Sequence, residues 1–314
     1  RAYLNLGNAQ AAQGEAEAAA ASYREALRLE PGYGAAHANL GKLYLNQRNY
    51  PNAAEHYAAA VRALPDSADA LVGLGCAMEE LQCYTEALEA YRKALTIQPG
   101  FPGANLNLGR LLAILKQPDE ALKHLQEALS SLPDSALGHF LLGKVLSDMG
   151  FTPEAVNQVQ QALKLKPEDQ DMASMMLFTM NYLPNYPVEK LFAAHLDYAH
   201  RFCGELYPKN PQYINSPDPE RPLKVGYVSG DFRGHPVSQF VEFLFTHHDR
   251  NYFKVYGFYN YHSNDGVTER LRRLVDIWHP IFTQKDDPMA DLIRALGIDI
   301  LVDLYNSTST INNI

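Results

Sequence analysis

The apolar positions in the first half of the chain recur with a constant period, and small residues mark the same places in every unit. Each unit has a Leu-Gly pair followed at fixed spacing by two alanines, as Gly7 is by Ala19 and Ala26. A tyrosine or aliphatic residue comes shortly before the second alanine, and a proline closes each unit. The glycines are Gly7, Gly41, Gly75, Gly109 and Gly143, and the prolines are Pro31, Pro65, Pro99, Pro133 and Pro167. Five units without a slip in spacing indicate a stacked array rather than one globular core.

This spacing is that of the tetratricopeptide repeat, a helix–turn–helix unit of about 34 residues. Small residues are expected where helices approach closely, the larger residue fills the space beside them, and the proline ends the second helix. Such units bury their apolar faces only against neighbouring units and stack into a superhelix with a long concave surface. The sequence therefore predicts an α-superhelix of five repeats over residues 1–167, suited to binding a protein or extended peptide.

Asparagine stands directly before the Leu-Gly pair in three of the five repeats, as Asn5, Asn39 and Asn107. Gly73 and Leu141 take the same position in the other two. A side-chain amide both donates and accepts hydrogen bonds, so a row of amides can bind a peptide backbone of any sequence. The alternative is that these side chains are solvated and bind nothing. We predict that the three asparagines line the inner face of the superhelix.

The hydrophobic period changes after Pro167. Residues 168–220 are predicted to form a helical bridge and then a Pro-rich linker. From Leu223 onward, apolar strands alternate with helices, which predicts a parallel sheet with right-handed crossovers. The predicted strands are LKVGYVS, YFKVYGFYNY, IWHPIFT and IDILVDLYN. Residues 221–314 are too few for an ordinary open sheet, so we expect an incomplete α/β domain of the Rossmann type.

Composition narrows the class of partner. The formal net charge of −9 argues against a nucleic acid, because phosphate binding needs a basic surface. No apolar run is long enough to suggest a membrane-spanning segment. The three cysteines, Cys76, Cys83 and Cys203, are too few for a disulfide framework or a zinc site. We expect ordinary thiols in a reducing, cytoplasmic compartment.

The loop GDFRGHPVS follows the first predicted strand and precedes a helix. It places His235 at the carboxyl end of a strand, where open α/β sheets bind their ligands. An imidazole can exchange protons near neutral pH, which suits a catalytic site. A histidine just before a helix that starts with proline can equally be a structural residue. Asp231, in the same loop, is expected to be a turn or capping residue.

The repeats, the helical bridge and the runs VGYVSGDFRGHPVS, HHDRNYFKVY and GIDILVDL together resemble the protein O-GlcNAc transferases. The resemblance implies that the repeats lead into a two-lobed GT-B glycosyltransferase. That enzyme class moves N-acetylglucosamine from UDP to serine or threonine hydroxyls, with inversion and without a metal or other cofactor. Residues 221–314 would then be part of the first lobe, and the lobe that binds UDP-N-acetylglucosamine would lie beyond Ile314. The resemblance also places His235 in the cleft near sugar and acceptor, and His279 beside the active site.

Residues 305–314 depart from the family pattern, which continues with a glycine-bearing loop ending in threonine, and Thr308 is given no role. The missing lobe would select the donor, so a protein O-fucosyltransferase stays possible, as does a non-catalytic peptide-binding scaffold. None of the strands is followed by a glycine loop spaced to hold phosphates. The chain as given is therefore expected to be inactive alone. It is also expected to bind no UDP-sugar with micromolar affinity.

Overall fold

The computed structural model describes residues 1–204 and 215–304, which belong to two compact units, Arg1–Tyr207 and Pro208–Ile314. The first unit begins with ten helices, and each odd-numbered helix packs chiefly against the helix that follows it. Their bounds are α1 Ala2–Ala12, α2 Ala16–Leu29, α3 Gly34–Asn46, α4 Tyr50–Ala63, α5 Ala68–Glu80, α6 Tyr84–Ile97, α7 Pro102–Ile114, α8 Pro118–Ser131, α9 Ala136–Asp148 and α10 Thr152–Leu165. These five helix pairs confirm the predicted repeats.

The repeated glycine is small because a side chain from the second helix of its own repeat lies against it. A Cβ atom at Gly75 would lie 2.4 Å from Cε1 of Tyr91, whose ring is fully buried. In a later repeat, a Cβ at Gly109 would lie 2.7 Å from Cγ of Leu125. Any larger residue there would force the two helices apart or displace a packed side chain. The structure thus confirms that the tyrosine or aliphatic residue fills the space that glycine leaves.

The turn between the two helices of each repeat passes through the left-handed region of backbone conformation at one fixed position. Its φ angles are 81° at Gly14, 57° at Arg48, 60° at Gln82, 59° at Lys116 and 83° at Gly150. In the second repeat, for example, the N–H of Asn49 then donates back to the carbonyl of Tyr44 at 2.8 Å. That bond satisfies a carbonyl at the end of the helix, as such C-terminal turns do. Three of the five turns adopt this conformation without glycine.

Two further helices follow the repeats in the first unit: α11 Gln170–Met180 and α12 Val188–Tyr198, the latter extended by a π-helical turn over Ala199–Cys203. Asp169 caps α11 by accepting the N–H of Met172 at 3.0 Å. The described part of α12 buries no residue, and Phe192 on its apolar side is 63% exposed. Among the helices that the structure describes, none is long and apolar enough to cross a lipid bilayer.

The second unit alternates strands and helices as the sequence predicts. Its elements are β1 Leu223–Ser229, α13 Pro236–His247, β2 Phe253–Tyr259, α14 Gly266–Arg272, β3 Ile277–Pro280, α15 Asp286–Ala295 and β4 Ile300–Asp303. The strands lie in the order β3-β2-β1-β4, and all three pairings are parallel. One face of the sheet packs with Phe232 and with Phe245 of α13. The other face packs Phe258 with Met289 and Ile293 of α15.

Asp299, just before β4, joins this strand to the start of β1. Its carboxylate accepts a hydrogen bond from Arg221 Nη1 at 2.6 Å and one from the backbone N–H of Lys224 at 2.8 Å. The side chain is only 10% exposed. The Arg221 guanidinium, together with these backbone and side-chain donors, holds the pKa of Asp299 well below its usual range. The ionised form of Asp299 is therefore favoured in the folded state.

Replacing Asp299 with asparagine should lower the free energy of unfolding of the second unit by about 2 kcal/mol at pH 7, a typical value for hydrogen bonds to a charged group. Because the folded-state pKa is depressed, the wild-type carboxylate stabilises above the usual aspartate pKa and loses that effect as pH falls. The difference between D299N and wild type should therefore shrink below about pH 4. Urea unfolding followed by Trp278 fluorescence measures it. The exposed Asp291→Asn is the control, and a pH-independent difference would contradict the prediction.

Candidate functional site

The candidate site is built from the loops that follow β1 and β2. These strands are adjacent and parallel, so both loops leave the same edge of the sheet. The first loop leads from Ser229 to the start of α13, and the second leads from Tyr259 to the start of α14. Phe232, which is fully buried, anchors the first loop against Phe245 and Trp278. The polar residues around Phe232 are thereby held at the rim of the sheet.

His235 occupies the N-cap position of α13. Its Nδ1 atom accepts the backbone N–H of Val237 at 3.3 Å, and its carbonyl accepts the hydroxyl of Ser238 at 2.6 Å. The side chain is 31% exposed. Its other ring nitrogen, Nε2, hydrogen-bonds to none of the described residues and is not buried. The imidazole thus caps a helix with one nitrogen and presents the other to solvent.

Asp231 does not cap a helix in this structure, so that part of the expectation is wrong. Its backbone N–H donates to Ser229 Oγ at 2.9 Å, while its carboxylate is 2% exposed. The Oδ2 atom lies 3.7 Å from His235 Nδ1 and accepts no hydrogen bond from the described residues. The helix cap comes from His235 because that residue directly precedes Pro236, the first residue of α13. The carboxylate lies beneath the loop instead.

Two further groups shape this loop, and neither was among the residues predicted from the sequence. The guanidinium of Arg233 lies 4.1 Å from the centre of the Tyr261 ring, a cation–π contact. Asp265 caps α14 by accepting the N–H of Thr268 at 2.8 Å, and it also accepts the N–H of Gly234 at 2.7 Å. These backbone donors hold the pKa of Asp265 below its usual value. The run Asp-x-x-Thr before a helix is the signal that predicts such a cap.

His279 lies in β3, paired in register with Phe258 of β2. Its ring stacks on Phe258 at 5.4 Å between centres, and its buried Nε2 has no hydrogen-bond partner among the described residues. The neighbouring Trp278 contacts Phe232, and successive strand residues point to opposite faces. His279 therefore faces the α15 side, whereas His235 lies with α13 on the other. The structure does not bring the two histidines together.

In the repeats, two of the three predicted asparagines already contact a neighbouring repeat. Asn39 donates to Asn8 Oδ1 at 2.7 Å, and Asn107 contacts Cys76 Sγ at 3.4 Å. Asn5 is exposed. Gly73 interrupts the row because a Cβ there would lie 2.1 Å from the Tyr57 ring. Peptide binding by the asparagines stays a prediction.

A buried polar network joins the third and fourth repeats. Arg110 holds Glu79 with two hydrogen bonds, at 2.7 and 3.0 Å, and the hydroxyl of Tyr91 donates to the same carboxylate at 3.1 Å. Glu79 is 7% exposed. Burial raises the pKa of Glu79, although Arg110 and Tyr91 partly offset this. Glu79 and Arg110 are far apart in the chain and meet only when repeats are stacked, so the sequence alone does not reveal the pair.

The structure shows no metal site in the part of the chain that it describes. No cluster of three or more histidine, cysteine or acidic side chains there can hold a metal ion. Cys76 and Cys83 are free thiols. Burial raises the pKa of Cys76, which disfavours its reactive thiolate form.

Comparisons with protein families divide the chain in the same way. The model of glycosyl transferase family 41 matches residues 206–314. Two tetratricopeptide repeat models match residues 7–47 and residues 38–102 and 80–136.

Among curated proteins, the probable UDP-N-acetylglucosamine–peptide N-acetylglucosaminyltransferase SPINDLY of Arabidopsis thaliana is 36% identical over 149 residues. Its counterpart in Solanum lycopersicum is 34% identical over 149 residues. Each match covers 46% of this chain and 16% of the relative. The matched segment is thus a small part of these relatives.

Among solved structures, a mutant O-GlcNAc transferase of Thermobaculum terrenum is 32% identical, with a TM-score of 0.62. That match covers 76% of this chain and 45% of the other. The pilF protein of Pseudomonas aeruginosa, 20% identical with a TM-score of 0.57, shares the fold alone. The chain therefore joins tetratricopeptide repeats to a segment that matches glycosyl transferase family 41, and its resemblance to the O-GlcNAc transferases is confirmed.

Proposed function

We propose that this chain is part of a protein glycosyltransferase that moves N-acetylglucosamine from UDP to serine or threonine hydroxyls. The observation that carries the proposal is the loop after β1, which presents His235 at the carboxyl edge of a sheet within the family 41 segment. The names of the SPINDLY relatives and of the Thermobaculum structure support N-acetylglucosamine as the sugar. The repeats would hold the acceptor protein, since stacked repeats form an extended binding surface.

In this proposal, the described residues serve the acceptor side of the reaction. The Nε2 atom of His235, which has no partner among the described residues, forms a hydrogen bond with the acceptor hydroxyl or with the sugar. Asp265 fixes the loop through Gly234, which limits the loss of entropy when substrates bind. UDP would be held by residues outside this segment. A cytoplasmic setting is also proposed, and the free thiols Cys76 and Cys83 support it.

A comparison of two sugar donors tests the proposal. The full-length gene product is incubated with an acceptor protein mixture and with radiolabelled UDP-N-acetylglucosamine or GDP-fucose, and labelled sites are located by mass spectrometry. Transfer of N-acetylglucosamine to serine or threonine is the expected result. Transfer of fucose alone would replace the donor in the proposal. Peptide binding by the repeats with no transfer from either donor would identify a scaffold and overturn the enzyme assignment.

The repeat surface gives a separate prediction. Replacing Asn39 or Asn107 with alanine should weaken binding of an acceptor peptide by about 1 kcal/mol each, roughly fivefold, because each change removes one neutral hydrogen bond. Fluorescence anisotropy with a labelled acceptor peptide measures the change. The matched control is Asn157→Ala, an exposed asparagine on α10. Equal affinities for all three variants would show that these amides do not contact the peptide.

A further inference from the structure

The carboxylate of Asp231 is a buried charge with an unsatisfied oxygen. It is 2% exposed, and Oδ2 accepts no hydrogen bond from the described residues. Arg233 Nη2 approaches only the other oxygen, at 3.5 Å, which is the outer limit of a hydrogen bond. Leaving a buried charged oxygen without a donor is costly, and native proteins seldom do so without a reason. A donor for Oδ2 is therefore expected in some state of the loop.

Two donors lie near this carboxylate: Arg233, whose buried Nε has no acceptor among the described residues, and His235. The Nδ1 atom of His235 lies 3.7 Å from Asp231 Oδ2 and 3.3 Å from the Val237 nitrogen. An Nδ1 with a free lone pair accepts the Val237 N–H, as in this structure. An Nδ1 that carries a proton cannot accept that bond but can donate to a carboxylate. The two hydrogen bonds exclude each other, and a ring movement of under about 1 Å separates them.

The surrounding charges leave Asp231 as the acceptor for this proton. Arg233 is a cation and only donates. The carboxylate of Asp265 is already used, because it accepts the N–H groups of Gly234 and Thr268. On α13, the groups next to His235 are the Val237 N–H and the Ser238 hydroxyl, and that hydroxyl donates to the His235 carbonyl. Asp231 is thus the acidic side chain in ion-pair range of this imidazole among the described residues.

We propose that Asp231 is a positioning residue that selects the tautomer of His235. When Nδ1–H donates to Asp231, Nε2 presents a lone pair to solvent and accepts a hydrogen bond. When Nδ1 accepts the Val237 N–H, Nε2 carries the proton and donates. Applied to the proposed sugar transfer, on which this last step rests, the Asp231-bound form accepts a hydrogen bond from the acceptor hydroxyl. The helix-capping form instead donates one to the oxygen of a bound substrate.

The tautomer of His235 can be measured without any transfer assay, so the result of this measurement does not depend on the proposed function. The 314-residue chain is labelled with ¹⁵N-histidine, and two-bond ¹H–¹⁵N correlation spectra at pH 8 distinguish a protonated from an unprotonated Nδ1. We expect a substantial Nδ1–H population in wild type and at least a threefold smaller one in D231N. The control D291N removes an exposed carboxylate of the same unit and should match wild type. Equal Nδ1–H populations in D231N and wild type would overturn the proposal.

A second variant acts on the competing bond. Val237→Pro removes the backbone N–H that His235 accepts, at a first-turn position where proline is tolerated. This change should raise the Nδ1–H population above the wild-type level, because Asp231 then has no competitor. Trp278 fluorescence confirms that each variant folds. An unchanged population in folded V237P would overturn the proposal even if D231N does not fold.

Discussion

Alanine in place of His235 should lower sugar transfer by the full-length protein by about 10²- to 10⁴-fold, the range for loss of a proton-exchanging or positioning side chain. The same change removes the Nδ1 acceptor that caps α13, so the free energy of unfolding should also fall by about 1 kcal/mol. Binding of peptides by the repeats should be unchanged. Turnover, thermal unfolding and peptide affinity are measured on one preparation.

Asparagine at position 235 separates the two roles of this histidine. Its side-chain oxygen can accept the Val237 N–H, and asparagine is among the best N-cap residues. His235→Asn should therefore restore most of the stability lost in the alanine variant while transfer stays low. Near-normal transfer by the asparagine variant would mean that the imidazole only caps the helix. His235 would then no longer be a candidate site residue.

Removing Arg110, whose side chain is 34% exposed, should destabilise the repeat unit by about 1–3 kcal/mol, the usual cost of leaving a buried acceptor without its donor. Arg110→Ala leaves the carboxylate of Glu79 buried with only the Tyr91 hydroxyl as a donor. Urea unfolding followed by circular dichroism in the far ultraviolet measures the loss. As the matched control, Arg92→Ala breaks the exposed pair with Glu120, in which both side chains are 55% exposed. That control should cost under about 1 kcal/mol.

Acid should partly rescue the Arg110→Ala variant. Burial raises the pKa of Glu79 even beside Arg110, so its charged form is disfavoured in the folded state. The folded protein then binds more protons than the unfolded chain just above the usual glutamate pKa, and stability rises as pH falls through that range. Loss of Arg110 strengthens this trend. The difference between R110A and wild type should shrink between pH 7 and pH 5. A constant difference would indicate that lost packing, not the unpaired charge, causes the destabilisation.

The repeats could be predicted from the sequence almost completely because their packing is local. Each glycine of the Leu-Gly pairs is matched by a large side chain further along the same unit, as Gly75 is by Tyr91, and the spacing recurs in all five units. The four strands could also be predicted, since buried parallel strands form short apolar runs. The order β3-β2-β1-β4 depends on pairing between distant segments, which hydrophobic periodicity does not encode.

The candidate site was predicted in place but not in detail. His235 was located from its loop, yet its bond to Val237 depends on the backbone conformation of that loop. The opposite orientations of His235 and His279 follow from strand pairing and could not be derived from spacing. The unpartnered Asp231 oxygen could not be predicted, because its isolation depends on how the loop packs. In each case, the feature depends on three-dimensional contacts that a sequence pattern does not show.

The left-handed turns offer positions at which the thermal stability of the repeats can be raised. Arg48, Gln82 and Lys116 are exposed and hold positive φ angles near 60°, where a side chain costs about 1 kcal/mol relative to glycine. The three sites are in separate repeats, so their effects should add. In a unit of this size, each gain of about 1 kcal/mol corresponds to about 2–4 °C in melting temperature. Glycine at all three turns would therefore raise the melting temperature of the repeats by about 6–12 °C, without touching the candidate site.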